Sequence, residues 1–416
     1  MEPTHEDLKS MQTLLAHQKL SERAKTFKEF SSTQSFSYMR KIVSKTDREV
    51  SVEDPITGKI QQMLMFASNN YLGLATHPKI SEYVKACMDK YGVGIGGPPL
   101  LNGYLKLTEE LEDRLASFKS KPSAMVFSSG FLANLAVVSG VASGDDVVIF
   151  DQLSHASLFD ALKLTKSPHQ VFPHNDMISL ERLLEKYQSI GKRNIYVCVE
   201  GVYSMDGDIS PLPQIVSLCK TYGALLILDD AHGAGVLGEN GKGTASHFNV
   251  EDEIDIEMGT FSKVFATCGG YIASSEDIIN YLRFNSRQYI FSASIPPVVM
   301  ATVLGGLKIL EDEPWLRISL GENMKYAIEK LGNFEFCAKP EGGIVTLRIP
   351  EGMNIRAASY LLHHKNIFIN PIEFPAVPLH HERFRISFMS HHTKEDIDKL
   401  ATALEEVWND SKAFIF

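Results

Sequence analysis

Nowhere in the 416 residues do about 18 apolar side chains run together, so no membrane-spanning helix is expected. The most apolar stretch, Val298 to Leu310, follows Pro296-Pro297 and contains glycines; it reads as a packed helix with proline in its first turn. Peripheral contact with a membrane is compatible with that reading. The opening MEPTHEDLKSM has neither a basic start nor an apolar centre, so a signal peptide is not expected. Cysteines are few: Cys87, Cys198, Cys219, Cys268 and Cys337 are odd in number, widely spaced and form no CxxC pair. Neither a disulfide framework nor a zinc site is suggested, and a reducing cytoplasm is the expected compartment. Cys198 and Cys268 lie in apolar or glycine-rich surroundings and are expected to be buried thiols. Basic charge is also short: the formal net charge is −10 and no basic stripe is sustained, which argues against nucleic-acid binding. Three histidine pairs, at 363–364, 380–381 and 391–392, come without HExxH or CxxC, so no metal site is expected.

What is present is an ordinary globular composition, 44% apolar and 22% charged, long enough for one large domain and a smaller one. The stretch that organises it runs from Ala224 to Gly270. Leu225-Leu226-Ile227-Leu228 reads as a buried parallel strand, and Asp229, Asp230 and His232 follow at once. Glycines stand at 233, 235, 238, 241 and 243, and a second segment, Asp255 to Gly259, leads into Thr260-Phe261-Ser262-Lys263. Carboxylates at the end of such a strand usually face the ligand crevice of an α/β sheet. Pyridoxal phosphate needs a lysine for its Schiff base, an acid for its pyridinium nitrogen, and hydroxyl and N–H groups for its phosphate. Lys263, Asp229 and Thr260 fit those three needs as a set. Taken singly, Asp229 also fits a strand-end aspartate capping a turn, and Lys263 a surface lysine.

LDDAHGAGVLG and TFSK resemble the α-oxoamine synthase family of fold-type I pyridoxal phosphate enzymes. Similar in the family's order are ASNNYLGL (67–74), SSGF (128–131), SHAS (154–157), EGVYSMDGD (200–208), FSASIPP (291–297) and RFRIS (383–387). The resemblance runs from about residue 60 to the C-terminus. It implies an α/β fold with a mostly parallel seven-stranded sheet in a large domain and a smaller α+β C-terminal domain. The expected division is an N-terminal helix and arm over 1–60, a pyridoxal-phosphate domain over 61–305 and the small domain over 306–416.

Along the chain, Leu8, Met11, Leu14 and Leu15 space an amphipathic helix over residues 5–30, and a turn is expected at 54–58. Met63 to Phe66 reads as a strand delivering Asn69, which the resemblance assigns to the carboxylate of an amino-acid substrate. Pro78 to Tyr91 is a helix ending at Gly92-Val-Gly-Ile-Gly-Gly-Pro-Pro99. No strand precedes those glycines and the prolines end any helix there, so a dinucleotide site is not expected. In the family that the motifs resemble, this glycine-rich loop lies near the substrate entrance at the dimer interface. Many members carry an arginine or small polar residue near Pro98-Pro99, and a histidine where Thr108 stands. Helices are expected from Thr108 to Phe118 and from Ser210-Pro211 to Tyr222. Strands are expected at 124–127, 147–150 and 195–199, alternating with helices as a doubly covered parallel sheet requires. Ser128 to Asn134 turns from strand into helix, an arrangement that suits a phosphate and equally suits a plain serine cap. Gly343 to Ile349 and Phe384 to Phe388 read as strands, and Thr393 to Trp408 as the last long helix.

By the resemblance, Ser129, Gly130, Phe131, Ser204 and Thr260 hold the cofactor and His155 stacks on its ring. His232 bonds its phenolic oxygen, and Asp229 and Lys263 take the pyridinium and Schiff-base roles. Ser292 and Ser294 reach the phosphate of a neighbouring subunit, implying a homodimer with shared sites. Arg385 binds the substrate carboxylate bidentately; Arg383 is its competitor, expected on the other side of the strand. The implied reaction is decarboxylative condensation of an α-amino acid with an acyl-CoA or acyl-carrier thioester, with Lys263 also moving the α-proton. The apolar Pro98-Pro99-Leu100-Leu101 points to a long-chain donor. The alternatives are an aminotransferase on the same fold and a non-catalytic scaffold member, which would be expected to lose Lys263.

Overall fold

A computed structural model describes residues 19–22, 24–25, 38–54, 57–374 and 376–414. The helix expected over 5–30 lies almost wholly outside them. The described residues form two compact units. The smaller takes its residues from Met1–Ser68, Glu322–Pro340 and Ile344–Phe416; the larger from Asn69–Gly321 and Glu341–Gly343.

The smaller unit opens with β1 (Lys41–Ile42), β2 (Glu49–Glu53) and β3 (Ile60–Met65), an antiparallel set. At the 54–58 turn the Asp54 carboxylate accepts from the Thr57 N–H and hydroxyl.

Seven strands of the larger unit form its central sheet: β4 (Ser123–Phe127), β5 (Val147–Asp151), β6 (His169–Phe172), β7 (Ile195–Glu200), β8 (Leu225–Asp229), β9 (Ile256–Thr260) and β10 (Gly270–Ser274). Their order is β4-β10-β9-β8-β7-β5-β6. Only β10 runs against its neighbours; the pairings from β9 through β6 are parallel. A sheet buried on both faces needs apolar residues on both, and alternation along each strand then splits them between two cores. Val148 and Phe150 of β5, Tyr196 and Cys198 of β7 and Ile227 of β8 enter one core. Val147 and Ile149, Ile195, Val197 and Val199, and Leu226 and Leu228 enter the other. The edge strand β6 has no counterpart in the sequence reading. Of its four residues only Phe172 is buried, so His169-Gln170-Val171-Phe172 shows no apolar run.

Helix ends follow local chemistry. The helix Pro78–Tyr91 keeps its expected bounds, whereas the next one spans Lys106–Phe118 and begins two residues before Thr108. Thr108 is its third residue, and its hydroxyl accepts from the Leu105 N–H at 3.2 Å, so the cap lies outside the periodic run. The crossover helix Leu212–Tyr222 between β7 and β8 stops at Gly223, whose φ of 64° only glycine adopts without strain. The helix after Pro296 spans Pro297–Asp312.

The smaller unit closes with β11 (Ile344–Arg348), β12 (Ile367–Phe368), β13 (Asn370–Ile372) and β14 (Arg383–Ser387). β12 joins β3 in parallel; β11, β14 and β13 make a separate antiparallel sheet. The last helix, Lys394–Trp408, is capped by Thr393, whose hydroxyl accepts from the Asp396 N–H while Asp396 accepts from the Thr393 N–H. Arg383 and Arg385 stand two residues apart on β14 and share one face, contrary to the expectation that they oppose each other.

Candidate active site

Strand ends build the site, because in a parallel sheet their C-terminal ends lie along one edge. Glu200, Asp229 and Thr260 terminate β7, β8 and β9. The turn after β4 starts the helix Gly130–Val141, whose cap Ser129 accepts from the Leu132 N–H at 3.1 Å. This leaves first-turn N–H groups facing outward at the positive end of the helix. Around these elements lies a cavity of 360 Å³. It brings together Ser129, Gly130, Phe131, His155, Ser204, Asp229, His232, Thr260 and Lys263, nine of the residues singled out from sequence.

Within it, polar contacts form two chains. In the first, Lys263 Nζ lies 2.7 Å from His232 Nε2, and His232 Nδ1 lies 2.7 Å from the Tyr71 hydroxyl. Tyr71 in turn donates to Asn69 Oδ1 at 3.2 Å. A hydroxyl has one proton, so Tyr71 donating to Asn69 makes His232 Nδ1 the donor to Tyr71 and leaves Nε2 to accept from Lys263. In the second chain, buried Asn134 donates to Asp229 Oδ2 at 2.7 Å and to Ser157 Oγ at 2.9 Å. The Ala231 N–H donates to the other Asp229 oxygen at 3.0 Å. His155 Nδ1 accepts from the Ser157 N–H at 3.3 Å, which leaves Nε2 to carry the proton. Glu200, opposite Asp229 in the β7–β8 register, is 3% exposed and its Oε1 has no partner. Burial pushes the Glu200 carboxyl well above the carboxylate range and the Asp229 charge adds to this; Lys263 opposes both.

Other expected residues lie elsewhere. Ser292 and Ser294 border a small depression with Pro99 and Thr108 and do not line the Lys263 cavity. Ser292 Oγ lies 3.3 Å from Ser128 Oγ, and the Ser294 N–H donates to the Gly97 carbonyl. Arg385 belongs to the smaller unit, buried on β14, where it donates to Ser387 Oγ at 3.0 Å. Cys198 is buried as expected, but Cys268 is exposed on the rim of the cavity, because the turn from β9 to β10 leaves it facing outward. Sequence reasoning gave no role to Asn134, Ser157, Glu200 or Tyr71. Tyr71, Ser157 and Glu200 stand inside the ASNNYLGL, SHAS and EGVYSMDGD stretches and Asn134 three residues after SSGF, and that proximity was the available signal.

The residues fit pyridoxal phosphate by the chemistry of the donor set. Hydroxyls of Ser129, Ser204, Thr260 and Ser262 and a helix N-terminus lie at a cavity that also holds a doubly hydrogen-bonded carboxylate, an imidazole and an amine.

The profile of the aminotransferase class I and II family matches residues 61–404. A serine palmitoyltransferase of Bacteriovorax stolpii is 40% identical over 362 residues, 86% of this chain and 85% of that one. An 8-amino-7-oxononanoate synthase of Bacillus pumilus (strain SAFR-032) is 38% identical over 370 residues, 88% and 92% of the two chains. Among solved structures, a lysine-to-alanine variant of serine palmitoyltransferase from S. paucimobilis, with a bound pyridoxal phosphate–myriocin aldimine, superposes with a TM-score of 0.86 at 28% identity. It covers 94% of this chain and 98% of that one. The chain belongs to the aminotransferase class I and II family and, within it, to the α-oxoamine synthases.

Proposed function

We propose that this protein condenses an α-amino acid with a long-chain acyl thioester, releasing CO2 and the free thiol and leaving a 2-amino ketone. Membership of the α-oxoamine synthases makes it a pyridoxal-phosphate-dependent acyltransferase. The observation that carries the reading is the placement of Lys263, His232 and Asp229 around one cavity. Pyridoxal phosphate supplies, when bound, an electron sink for a carbanion at the amino-acid α-carbon. Ser129, Gly130, Phe131 and Thr260 would hold its phosphate with Ser204 close to the cofactor, Asp229 would keep the ring nitrogen protonated, and His155 would stack on the ring. Asn134 fixes the Asp229 carboxylate so that it stays aimed. Lys263 would attach the cofactor and would supply the amine that takes the α-proton. Its hydrogen bond to His232 holds the amine at one place. The resemblance assigns Asn69 of the larger unit, and Arg385 of the smaller, each to the carboxylate of the amino acid.

The long-chain donor is supported by the entrance loop, where Leu100 is 38% and Leu101 81% exposed beside Pro98 and Pro99. A homodimer is supported by Ser292 and Ser294, which do not line their own cavity, and by Phe284 and Phe291, 70% and 74% exposed. A second copy would supply the serines and cover the rings. All five cysteines are free thiols, in keeping with a cytoplasmic protein. Among the described residues no helix is long and apolar enough to cross a membrane.

The test is a CoA-release and CO2-release assay with serine, alanine or glycine against palmitoyl-CoA and short acyl-CoA. Saturable turnover with palmitoyl-CoA and one amino acid is expected, lost in Lys263→Ala. Amino-group exchange with an oxo acid in place of CoA release would assign an aminotransferase instead. Light scattering that gives one chain per particle would remove the dimer.

A further inference from the structure

His174 lies outside the cavity, in the turn after β6, and has no part in the chemistry above. Its ring is held at both nitrogens by carboxylates from two different elements. Nδ1 donates to Asp151 at 3.0 Å, and Nε2 donates to Asp208 at 2.8 Å. Ionised carboxylates accept only, so with both acids ionised both ring nitrogens carry protons and the group is an imidazolium, the Asn175 amide lying alongside Nε2 at 3.1 Å. The Tyr203 ring packs edge-on against it with centroids 4.4 Å apart. Asn175, at φ 54°, sends its N–H to Asp151 at 2.9 Å and its Nδ2 to Asp208 at 3.1 Å, so the turn is bent to serve the same two acids.

Each acid governs a loop that lines the cavity. Asp151 ends β5 and is fully buried; its carboxylate accepts from the Leu153 N–H at 2.8 Å, shaping the 151–155 turn that presents His155. Asp208 closes the loop after β7: its carbonyl accepts from the Tyr203 N–H at 2.9 Å, beside Ser204. Without the imidazolium, the two acids would face each other across a half-buried gap. The charged and titratable groups that face His174 are Asp151 from β5 and Asp208 and Tyr203 from the 201–209 loop; Glu200 lies behind Tyr203.

We propose that His174 is a positioning residue of the cofactor site: its imidazolium ties the turn presenting His155 to the loop presenting Ser204. The proposal rests on the pyridoxal phosphate reading above. Burial alone would lower the basicity of the ring, but hydrogen bonds and charge from Asp151 and Asp208 outweigh it and push the group up to about 10. The clamp is therefore closed throughout the physiological range and opens only in alkali.

Two measurements on His174→Asn test this, each against the full-length wild type. The first is thermal unfolding of the cofactor-free proteins from pH 6 to 10.5. The melting temperatures should differ most at pH 6–7 and converge toward pH 10; a constant gap would overturn the charged clamp. The second is spectral titration with pyridoxal phosphate at pH 7.5. At least tenfold weaker binding is expected, and unchanged affinity would overturn the positioning role. If His174→Asn does not fold, Asp208→Asn replaces it, keeping one hydrogen bond and removing one charge. Its melting curve should complete its alkaline fall at least one pH unit earlier than that of the wild type, and an unshifted end point would refute the clamp. A wild type that takes up no pyridoxal phosphate would remove the cofactor reading, while the melting profiles would still decide the clamp.

Discussion

Gly270 packs closely against the start of the helix Gly130–Val141. A Cβ placed on Gly270 would stand 2.6 Å from Gly130 Cα, 2.8 Å from Gly130 N and 2.9 Å from the Gly259 carbonyl oxygen. All three are backbone atoms in regular elements, so no side chain can swing aside. Carbon atoms rest at about 3.5 Å, so Gly270→Ala requires a displacement of roughly 0.9 Å. Because β10 is hydrogen-bonded on both sides, the yielding element is the start of the helix Gly130–Val141. Overpacking of this kind costs about 1–3 kcal/mol. The same displacement moves the Gly130 and Phe131 N–H groups, proposed above to hold the phosphate, and carries Asn134, on the next turn, away from Asp229. Loss of one hydrogen bond to a charged partner, about 1.5–3 kcal/mol, corresponds to roughly 10- to 100-fold weaker cofactor affinity. Gly144→Ala is the control: nothing lies within 4 Å of its added Cβ. The assay is thermal unfolding without cofactor, followed by spectral titration with pyridoxal phosphate. Gly270→Ala should melt several degrees lower and bind at least tenfold more weakly, with Gly144→Ala unchanged in both. A Gly270→Ala protein indistinguishable from wild type would refute the argument that this glycine pair sets the helix position.

Further expectations follow from the burial of single groups. Burial and the Asp229 charge favour the protonated form of the Glu200 carboxyl, so Glu200→Gln should keep pyridoxal phosphate affinity within roughly threefold, under 1 kcal/mol; a loss of tenfold or more would show that the carboxylate charge is needed. His392 stacks on Phe66 at 4.3 Å, accepts from the Met389 N–H and donates to the Met65 carbonyl, and burial lowers it to about 4. A base lowered from 6.5 to 4 on folding contributes stability that is fully present above pH 6.5 and is lost as pH falls through that window. The loss totals about 3 kcal/mol. Melting temperatures from pH 7 to 4 should fall more steeply for the wild type than for His392→Gln, and equal slopes would contradict this. Iodoacetamide should label exposed Cys268 well before buried Cys87, Cys198 and Cys219. Prior loading with pyridoxal phosphate should slow that labelling, as peptide mass mapping would show; equal rates with and without it would place the thiol outside the occupied site.

Most of the larger unit was legible because its strands are short apolar runs bounded by turn residues. Ile195 to Val199 and Leu225 to Leu228 needed no partner to be read as strands. β6 was illegible because an edge strand buried at one residue carries no pattern. Cys268 was misread because glycine-rich surroundings say nothing about which way a turn faces. Chemistry was readable where a motif concentrates it: Asp229, His232 and Lys263 sit within one stretch of 35 residues, 229 to 263.

By itself, the order of residues determined the element types, the α/β class and the set of groups that chemistry on a pyridoxal cofactor needs. Those depend on local pattern and on residue identity, which are written along the chain. Tertiary structure decided which groups meet. Asn134 reaches Asp229 across 95 positions, Tyr71 reaches His232 across 161, and His174 joins Asp151 to Asp208. Such contacts join elements distant in sequence. Their distances are fixed by sheet order and by close approaches like that of Gly270 to Gly130, which no local window of the sequence contains.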